Sequence, residues 1–318
     1  MRYYLDFEKK LEPLERRIGE IERFYGINDP HYSKEAASIS KKISKLEKEI
    51  YGDLTNWQKS QVSRHLNRPH TLDYINNLFS DFSELCGDRK FKDDPAIVAG
   101  FARYEDISFA VVGHQKGKDV REMAHRNFGM AHPEGYRKAM RIMEMANRWG
   151  KPIITFIDTP GAFPGIGAEE RGQAEAIASS IYFMFSLTVP IISVVIGEGG
   201  SGGALAIGVG NRILMLENAT YSVISPEGCA AILWRDGSKG PLAADALKPT
   251  AYELLKLNVI DEVIKEPFGG AHRNWEQTFL NAGPVLTKHL KELLQMPSEE
   301  LRESRHNKFR KMGIFSER

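Results

Sequence analysis

Apolar residues recur along this chain in two rhythms, and the change between them falls near position 95. In the first stretch, Leu11, Leu14, Ile18, Ile21 and Tyr25 are three or four positions apart. After Gly26-Ile27-Asn28-Asp29-Pro30, the same spacing resumes at Ile39, Ile43, Leu46 and Ile50. Both stripes are narrow and their outer faces are charged, which predicts an antiparallel helical hairpin. A stripe this thin is buried either against the chain's own body or by a partner. Residues 1–70 therefore read as a helical arm, expected to contact a partner.

From Pro95 onward, strands alternate with helices. The pattern predicts strands over 96–104, 107–113, 152–158, 190–197, 211–217, 221–225 and 260–265. It predicts helices over 133–149, about 168–185, from Ser201, and over 226–234, 250–257 and 275–294. Pro133 and Glu134 suit a helix's first turn. The runs Ile153 to Asp158 and Ile191 to Ile196 are β-branched with no polar alternation, which implies burial on both faces and a parallel sheet covered by helices. Residues 71–295 read as one α/β domain, and 296–318 as a charged tail that is solvated or frayed.

Bulk properties change little in this picture. The 318 residues carry a formal net charge of +1, so no global field favours nucleic acid or an anionic membrane. Cys86 and Cys229 are too few for a disulfide framework or a cysteine-rich zinc site, and they suit a reducing cytosol. The first eight residues include acids where a signal peptide needs an apolar stretch. The most apolar window, 181–197, is interrupted by Pro190 and reads as a helix end followed by a buried strand.

The chemistry concentrates at two glycine-rich turns. One apolar run leads into Thr159-Pro160-Gly161-Ala162-Phe163-Pro164-Gly165, the other into Gly197-Glu198-Gly199-Gly200-Ser201-Gly202-Gly203. Glycine lets a ligand reach backbone N–H groups, and the first N–H groups of a helix have no internal partner. Each turn is thus a station for negative charge. If the two strands are parallel neighbours, both turns emerge at one sheet edge.

Four readings compete for these residues. Gly197-x-Gly199-x-x-Gly202 fits a dinucleotide fingerprint, but it sits late in the domain and its downstream acid, Glu217, comes early. Gly199-x-Ser201-x-Gly203 fits a nucleophile elbow, with His272 as its only central histidine and no third group. Asp158-Thr159-Pro160-Gly161 has the Asp-x-x-Gly form of GTPases, without a phosphate-binding loop before it. A pair of oxyanion stations needs no catalytic side chain. The plain alternative is glycine used for tight helix–strand packing.

Longer motifs carry a resemblance. Phe156 through Gln173 closely resembles the α subunit of bacterial acetyl-CoA carboxylase carboxyltransferase, as do Gly113-His114-Gln115-Lys116-Gly117, Arg126 to Met130, Pro133 to Ala139 and Gly197 to Gly208. Tyr221 to Cys229 and Glu266-Pro267-x-Gly269-Gly270-Ala271-His272-Arg273 match as well. Lys118 stands where that family often has Arg, and Phe163 where many members have Tyr.

The resemblance implies a crotonase-like fold, with ββα units wound into a superhelix behind the helical arm. It implies transfer of a carboxyl group from carboxybiotin on a separate carrier protein to acetyl-CoA, giving malonyl-CoA for fatty acid synthesis. It also implies a zinc-ribbon β subunit in an α2β2 assembly, a biotin carboxyl carrier protein and an ATP-using biotin carboxylase, all cytoplasmic, with no metal in this chain.

Carried onto these residues, Gly202 and Gly203 are expected to hold the biotin oxygen, with Gly199 and Gly200 as close alternatives. Gly161, Ala162 and Gly165 are expected to line the biotin channel, with Asp158 orienting their loop. Lys116, Lys118 and Arg137, in a segment with eight Lys or Arg against four Asp or Glu from 114 to 148, are candidates for CoA phosphates. Glu169, Glu170 and Arg171 are read as helix-start and subunit contacts, and His272 with Arg273 as a capped turn. An acyl-CoA hydratase on the same fold would need a side-chain acid or base that the sequence does not announce, and a non-catalytic scaffold would tolerate bulk at the glycines.

Overall fold

The computed structural model describes residues 3–25 and 30–313. Two helices, α1 (Glu12–Tyr25) and α2 (Pro30–Tyr51), form the hairpin, while its connecting residues 26–29 lie outside the described part. Arg273 pairs with both Glu15 and Glu47, so the start of α1 lies beside the end of α2 and the two run antiparallel. Leu11, Ile21 and Ile39 are buried, whereas Phe24 near the tip is 80% exposed.

The arm ends at Tyr51. The short helices α3 (Asn56–Ser63) and α4 (Thr71–Leu78) already belong to the body. Between them, the wholly buried Arg68 donates to the Ile196 carbonyl at 2.9 Å and pairs with Glu266 at 2.7 Å. The expected arm over 1–70 is thus shorter, because a guanidinium at position 68 reaches partners on β5 and just beyond β8 that no local pattern reveals.

The strands are β1 (Ser80–Glu84), β2 (Ile97–Tyr104), β3 (Ile107–His114) and, after helices α5 (Val120–His125) and α6 (Pro133–Arg148), β4 (Ile153–Thr159). Helices α7 (Ile166–Glu170) and α8 (Gln173–Ser186) precede β5 (Ile191–Gly200), and α9 (Ser201–Leu205) follows it. Then come β6 (Arg212–Leu216), β7 (Thr220–Ser222), α10 (Pro226–Trp234), α11 (Gly240–Leu247), α12 (Ala251–Lys256), β8 (Glu262–Ile264), α13 (Trp275–Leu294) and α14 (Ser298–Lys311).

The sheet order is β1-β2-β3-β4-β5-β6-β8, with β7 paired to the end of β5. β1, β2 and β3 are antiparallel, and everything from β3 to β8 is parallel. All seven residues of β4 are buried, as its unbroken apolar run predicts. Neighbouring residues on the strand serve opposite layers. Phe156 meets Tyr74 of α4 at 5.3 Å between ring centroids, while Thr155 donates to the Ile207 carbonyl beyond α9 at 2.7 Å.

Two expectations need correction. The helix expected over 168–185 is two helices, because Gly172 takes a left-handed conformation (φ 81°, ψ 54°) between α7 and α8. The described tail after 296 is exposed on its outer face but not frayed. Residues 298–311 form α14, whose buried Arg305 donates to the carbonyls of Met184 and Leu187 at 2.7 Å, of Val189 at 3.0 Å, and to Asn211 Oδ1 at 2.7 Å. An arginine set among orphan carbonyls is a core residue, although composition reads it as surface.

Candidate functional site

β4 and β5 are parallel neighbours in register, Ile153 opposite Ile191 through Ile157 opposite Val195. Both glycine turns therefore leave the same edge of the sheet, and they touch. A Cβ on Gly203 would lie 2.6 Å from both the Ala162 nitrogen and the Gly161 carbonyl carbon. A Cβ on Gly200 would overlap the Pro160 carbonyl. A Cβ on Gly202 would meet only Ile177, at the ordinary distance of 3.5 Å. Glycine is thus required by packing at 200 and 203, whereas Gly202 faces open space.

Gly202 also borders a cavity of about 300 Å³ lined by Ser201, Leu205, Tyr221, Val223 and Met312, among others. Ser201 is held at φ +53°, a left-handed conformation that non-glycine residues adopt sparingly and that clusters at functional turns. No side chain caps α9, so the N–H groups of its first turn have no side-chain acceptor.

The loop after β4 is held from several sides. Thr159 Oγ1 donates to the Gly161 carbonyl at 2.6 Å and accepts its N–H at 3.1 Å. The Phe163 N–H donates to the Ala131 carbonyl at 3.0 Å, its ring stacks on His132 at 4.1 Å, and Gln173 donates to both carbonyls. Gly165 packs against the Phe163 ring.

Below the turns lies a buried charge cluster. Asp158 Oδ1 accepts the Glu198 N–H at 3.0 Å and pairs with Lys116 at 2.8 Å, while Oδ2 faces His70 Nδ1 at 3.2 Å. Lys116 also pairs with the Glu198 carboxylate at 2.8 Å. Burial works against the charge on Asp158, but the Lys116 ammonium and the His70 contact outweigh it and hold the carboxyl well below the usual range. Burial likewise opposes the charge on Lys116, yet Asp158 and Glu198 push it up to about 12. Asp158 thus orients the turn after β5 and not, as expected, the loop that follows it.

The three candidate phosphate ligands have partners within the chain. Lys116 is the centre of this cluster, with the Asp158 and Glu198 carboxylates already at its ammonium. Arg137 donates to the Arg171 carbonyl at 2.8 Å and pairs with Glu175 at 3.0 Å. Lys118 pairs with Asp73 at 2.6 Å and lies 4.9 Å from the centre of the Trp275 ring, but its side chain is half exposed. Arg171 pairs with the buried Glu134 at 2.5 Å, so it serves the chain's own fold.

His272 belongs to a buried group with Glu8 and His65 whose composition would suit a metal ion. The donors argue otherwise. The Asn67 N–H donates to His65 Nδ1 at 3.0 Å, which places the ring's proton on Nε2, facing the Tyr3 carbonyl at 3.2 Å. Glu8 accepts from Leu5 N–H at 2.8 Å, from Tyr51 and from His272 Nε2 at 2.9 Å. Each nitrogen facing the centre carries a proton, so neither offers a lone pair to a cation. The expected turn is present, with the Arg273 N–H donating to the Gly270 carbonyl at 3.1 Å, and through its His272 it also ties the two ends of the chain together.

Two backbone-amide turns thus abut at one edge of a parallel sheet. Structures sharing the fold include transcarboxylase 12S with methylmalonyl-coenzyme A and methylmalonic acid bound (TM-score 0.59, 20% identity, 71% of this chain and 42% of that one). A Pseudomonas malonate decarboxylase hetero-tetramer in complex with coenzyme A is similar too (TM-score 0.59, 15% identity, 74% of this chain and 91% of that one). The chain belongs to the acetyl co-enzyme A carboxylase carboxyltransferase-like family, which matches residues 4–313. It is 56% identical, over the full length of both chains, to the acetyl-coenzyme A carboxylase carboxyl transferase subunit alpha of Syntrophotalea carbinolica. It is 57% identical over 315 residues, 99% of each chain, to that of Geobacter metallireducens. Among the described residues no helix is long and apolar enough to cross a membrane.

Proposed function

We propose that this chain is the α subunit of an acetyl-CoA carboxyltransferase, moving a carboxyl group from carboxybiotin to acetyl-CoA to give malonyl-CoA. The supporting observation is the contact between the two turns, which brings the Ala162 nitrogen and the Gly202–Gly203 segment into one site. Carboxybiotin supplies CO2 and leaves negative charge on its ureido oxygen. This chain's part is to hold fixed N–H donors against that oxygen. Gly202 and Gly203 present those donors, and the missing Cβ at 202 leaves the approach open. Gly199 and Gly200 shape the turn, and Gly161, Ala162 and Gly165 form the opposite wall. One such donor is worth roughly 3–4 kcal/mol of barrier. The carboxylate in the turn itself, Glu198, is tied to Lys116, which favours this reading over a hydratase that needs a free acid.

The same reading places the acetyl-CoA thioester on a zinc-ribbon β subunit in an α2β2 assembly, and the biotin on a carrier protein charged by a biotin carboxylase, all in the cytoplasm. It gives this chain no metal of its own. The exposed arm tip around Phe24 is assigned to partner contact.

The test is malonyl-CoA decarboxylation with biocytin, measured on this chain with and without its β partner. Gly202→Val, placed where a Cβ has room, should lower turnover about 100-fold or more while the complex still assembles, whereas Gly203→Pro, whose ring also meets the backbone at Ala162, should lower stability together with turnover. Full activity in an assembled Gly203→Pro complex would falsify the assignment.

A further inference from the structure

Helix α9 is five residues long, so its carbonyls lose the amides that a longer helix would provide. Buried hydroxyls replace them. Ser180 donates to the Ala206 carbonyl at 2.5 Å, and Thr155 to the Ile207 carbonyl at 2.7 Å. The Gly203 carbonyl is in the same position, because the Ile207 amide that would serve it reaches Ala204 instead, at 3.4 Å. The side chain beside it is His114, the last residue of β3, whose ring comes near the backbone of Gly203 and Phe156 without a hydrogen bond to either. His114 is wholly buried, and neither ring nitrogen has a hydrogen-bond partner. Burial lowers the ring to about 4, so near neutral pH it carries one N–H and one lone pair. Native interiors rarely leave such groups unmet without a bound water or a functional reason.

We propose that His114 is a positioning residue for carboxyl transfer: its N–H serves the Gly203 carbonyl, directly or through one internal water, which pins the peptide unit after Gly203 and so limits rotation of the turn that carries the Gly202 and Gly203 N–H groups. A glycine pair has no Cβ to limit its own ψ angles, so its orientation must come from outside. The Gly203 carbonyl is where an outside group can grip it. This inference rests on the oxyanion reading of that turn.

The experiment compares His114→Leu and His114→Asn in the complex with the β partner, scored by biocytin-dependent malonyl-CoA decarboxylation. Leu keeps the bulk and removes the donor, whereas Asn keeps an N–H. The expected result is a kcat about 10- to 100-fold lower for Leu, with KM for malonyl-CoA and the size of the complex unchanged, and partial recovery by Asn. A crystal structure of the wild-type complex should show His114 joined to the Gly203 carbonyl directly or by one water. Unchanged kcat in folded His114→Leu, beside an inactive but folded Gly202→Val, overturns the positioning role and leaves the oxyanion site standing. If Gly202→Val is also fully active, the site reading fails and this inference with it. Should the Leu variant not fold, a crystal structure in which the ring bonds neither the carbonyl nor a water overturns the proposal.

Discussion

Asp158, near the end of β4, accepts the backbone N–H of Glu198, within the turn after β5, at 3.0 Å. One strand thus dictates where the next strand's glycine turn begins. The carboxylate can do this because it is ionised and doubly paired, and a charged acceptor binds an amide about twice as strongly as a neutral one.

Asp158→Asn keeps an oxygen for the Glu198 amide but removes the charge facing Lys116. Stripping one partner from a buried ion pair costs roughly 3–5 kcal/mol. Thermal unfolding should show a loss of that order, and turnover should fall with it. A variant as stable as the parent would mean that Glu198 alone satisfies Lys116.

Gly200→Ala and Gly202→Ala should part company. At 200 the new methyl overlaps the Pro160 carbonyl, so the backbone must move, at a cost of about 1–3 kcal/mol. At 202 it makes an ordinary contact with Ile177, and a helical Gly→Ala change gains up to about 1 kcal/mol. Stability should thus drop for the first and hold or rise for the second. Turnover should fall in both, by about tenfold or more at 202 if ligand approaches there.

Acid should weaken the fold through its buried imidazoles. His114 in the folded chain titrates at about 4, pushed down by burial from an ordinary 6.5. Between those values the unfolded chain binds a proton that the folded chain refuses, so stability falls as pH drops through that window. The slope from this one group is up to ~1.4 kcal/mol per pH unit. His65, at about 3 through burial and the neighbouring His272, extends the window lower. Denaturant melts at several pH values should show the slope, and His114→Leu should reduce it by up to about one proton.

Lys118→Glu tests phosphate binding at the most exposed of the three candidate cations. A contact would raise KM for malonyl-CoA, and the increase would shrink as salt rises. A KM independent of both charge and salt would assign Lys118 to Asp73 and Trp275 alone.

Arg305→Ala should cost roughly 3–5 kcal/mol, because three buried carbonyls and the Asn211 side chain lose their donor together. Ending the chain at Pro297 should be at least as damaging. Melting temperatures of the two variants check this directly.

The parallel core was legible in sequence because β4 and β5 are continuous β-branched runs, and their turns because glycine and proline punctuate them. Contact between the turns followed from the two strands being neighbours. Other features had no local signal. The run Ala204 to Gly208 reads as a continuing helix, and only tertiary hydroxyls such as Ser180 and Thr155 allow α9 to stop at Leu205. Lys116 and Asp158 stand 42 positions apart, so a cation that looked free proved to be the centre of a buried pair. His114 stood inside a quoted motif, but its meaning needed the Gly203 carbonyl beside it. Arg305 was hidden by its own charge.

Glu8 and His272 are separated by 264 positions, and they meet in the interior. During synthesis the hairpin emerges ahead of the sheet and then waits until position 272 has followed it out of the ribosome. At ordinary elongation rates that delay is roughly ten seconds to a minute. The order of synthesis thus puts the hairpin out long before the residues that tie it down, so the arm settles late.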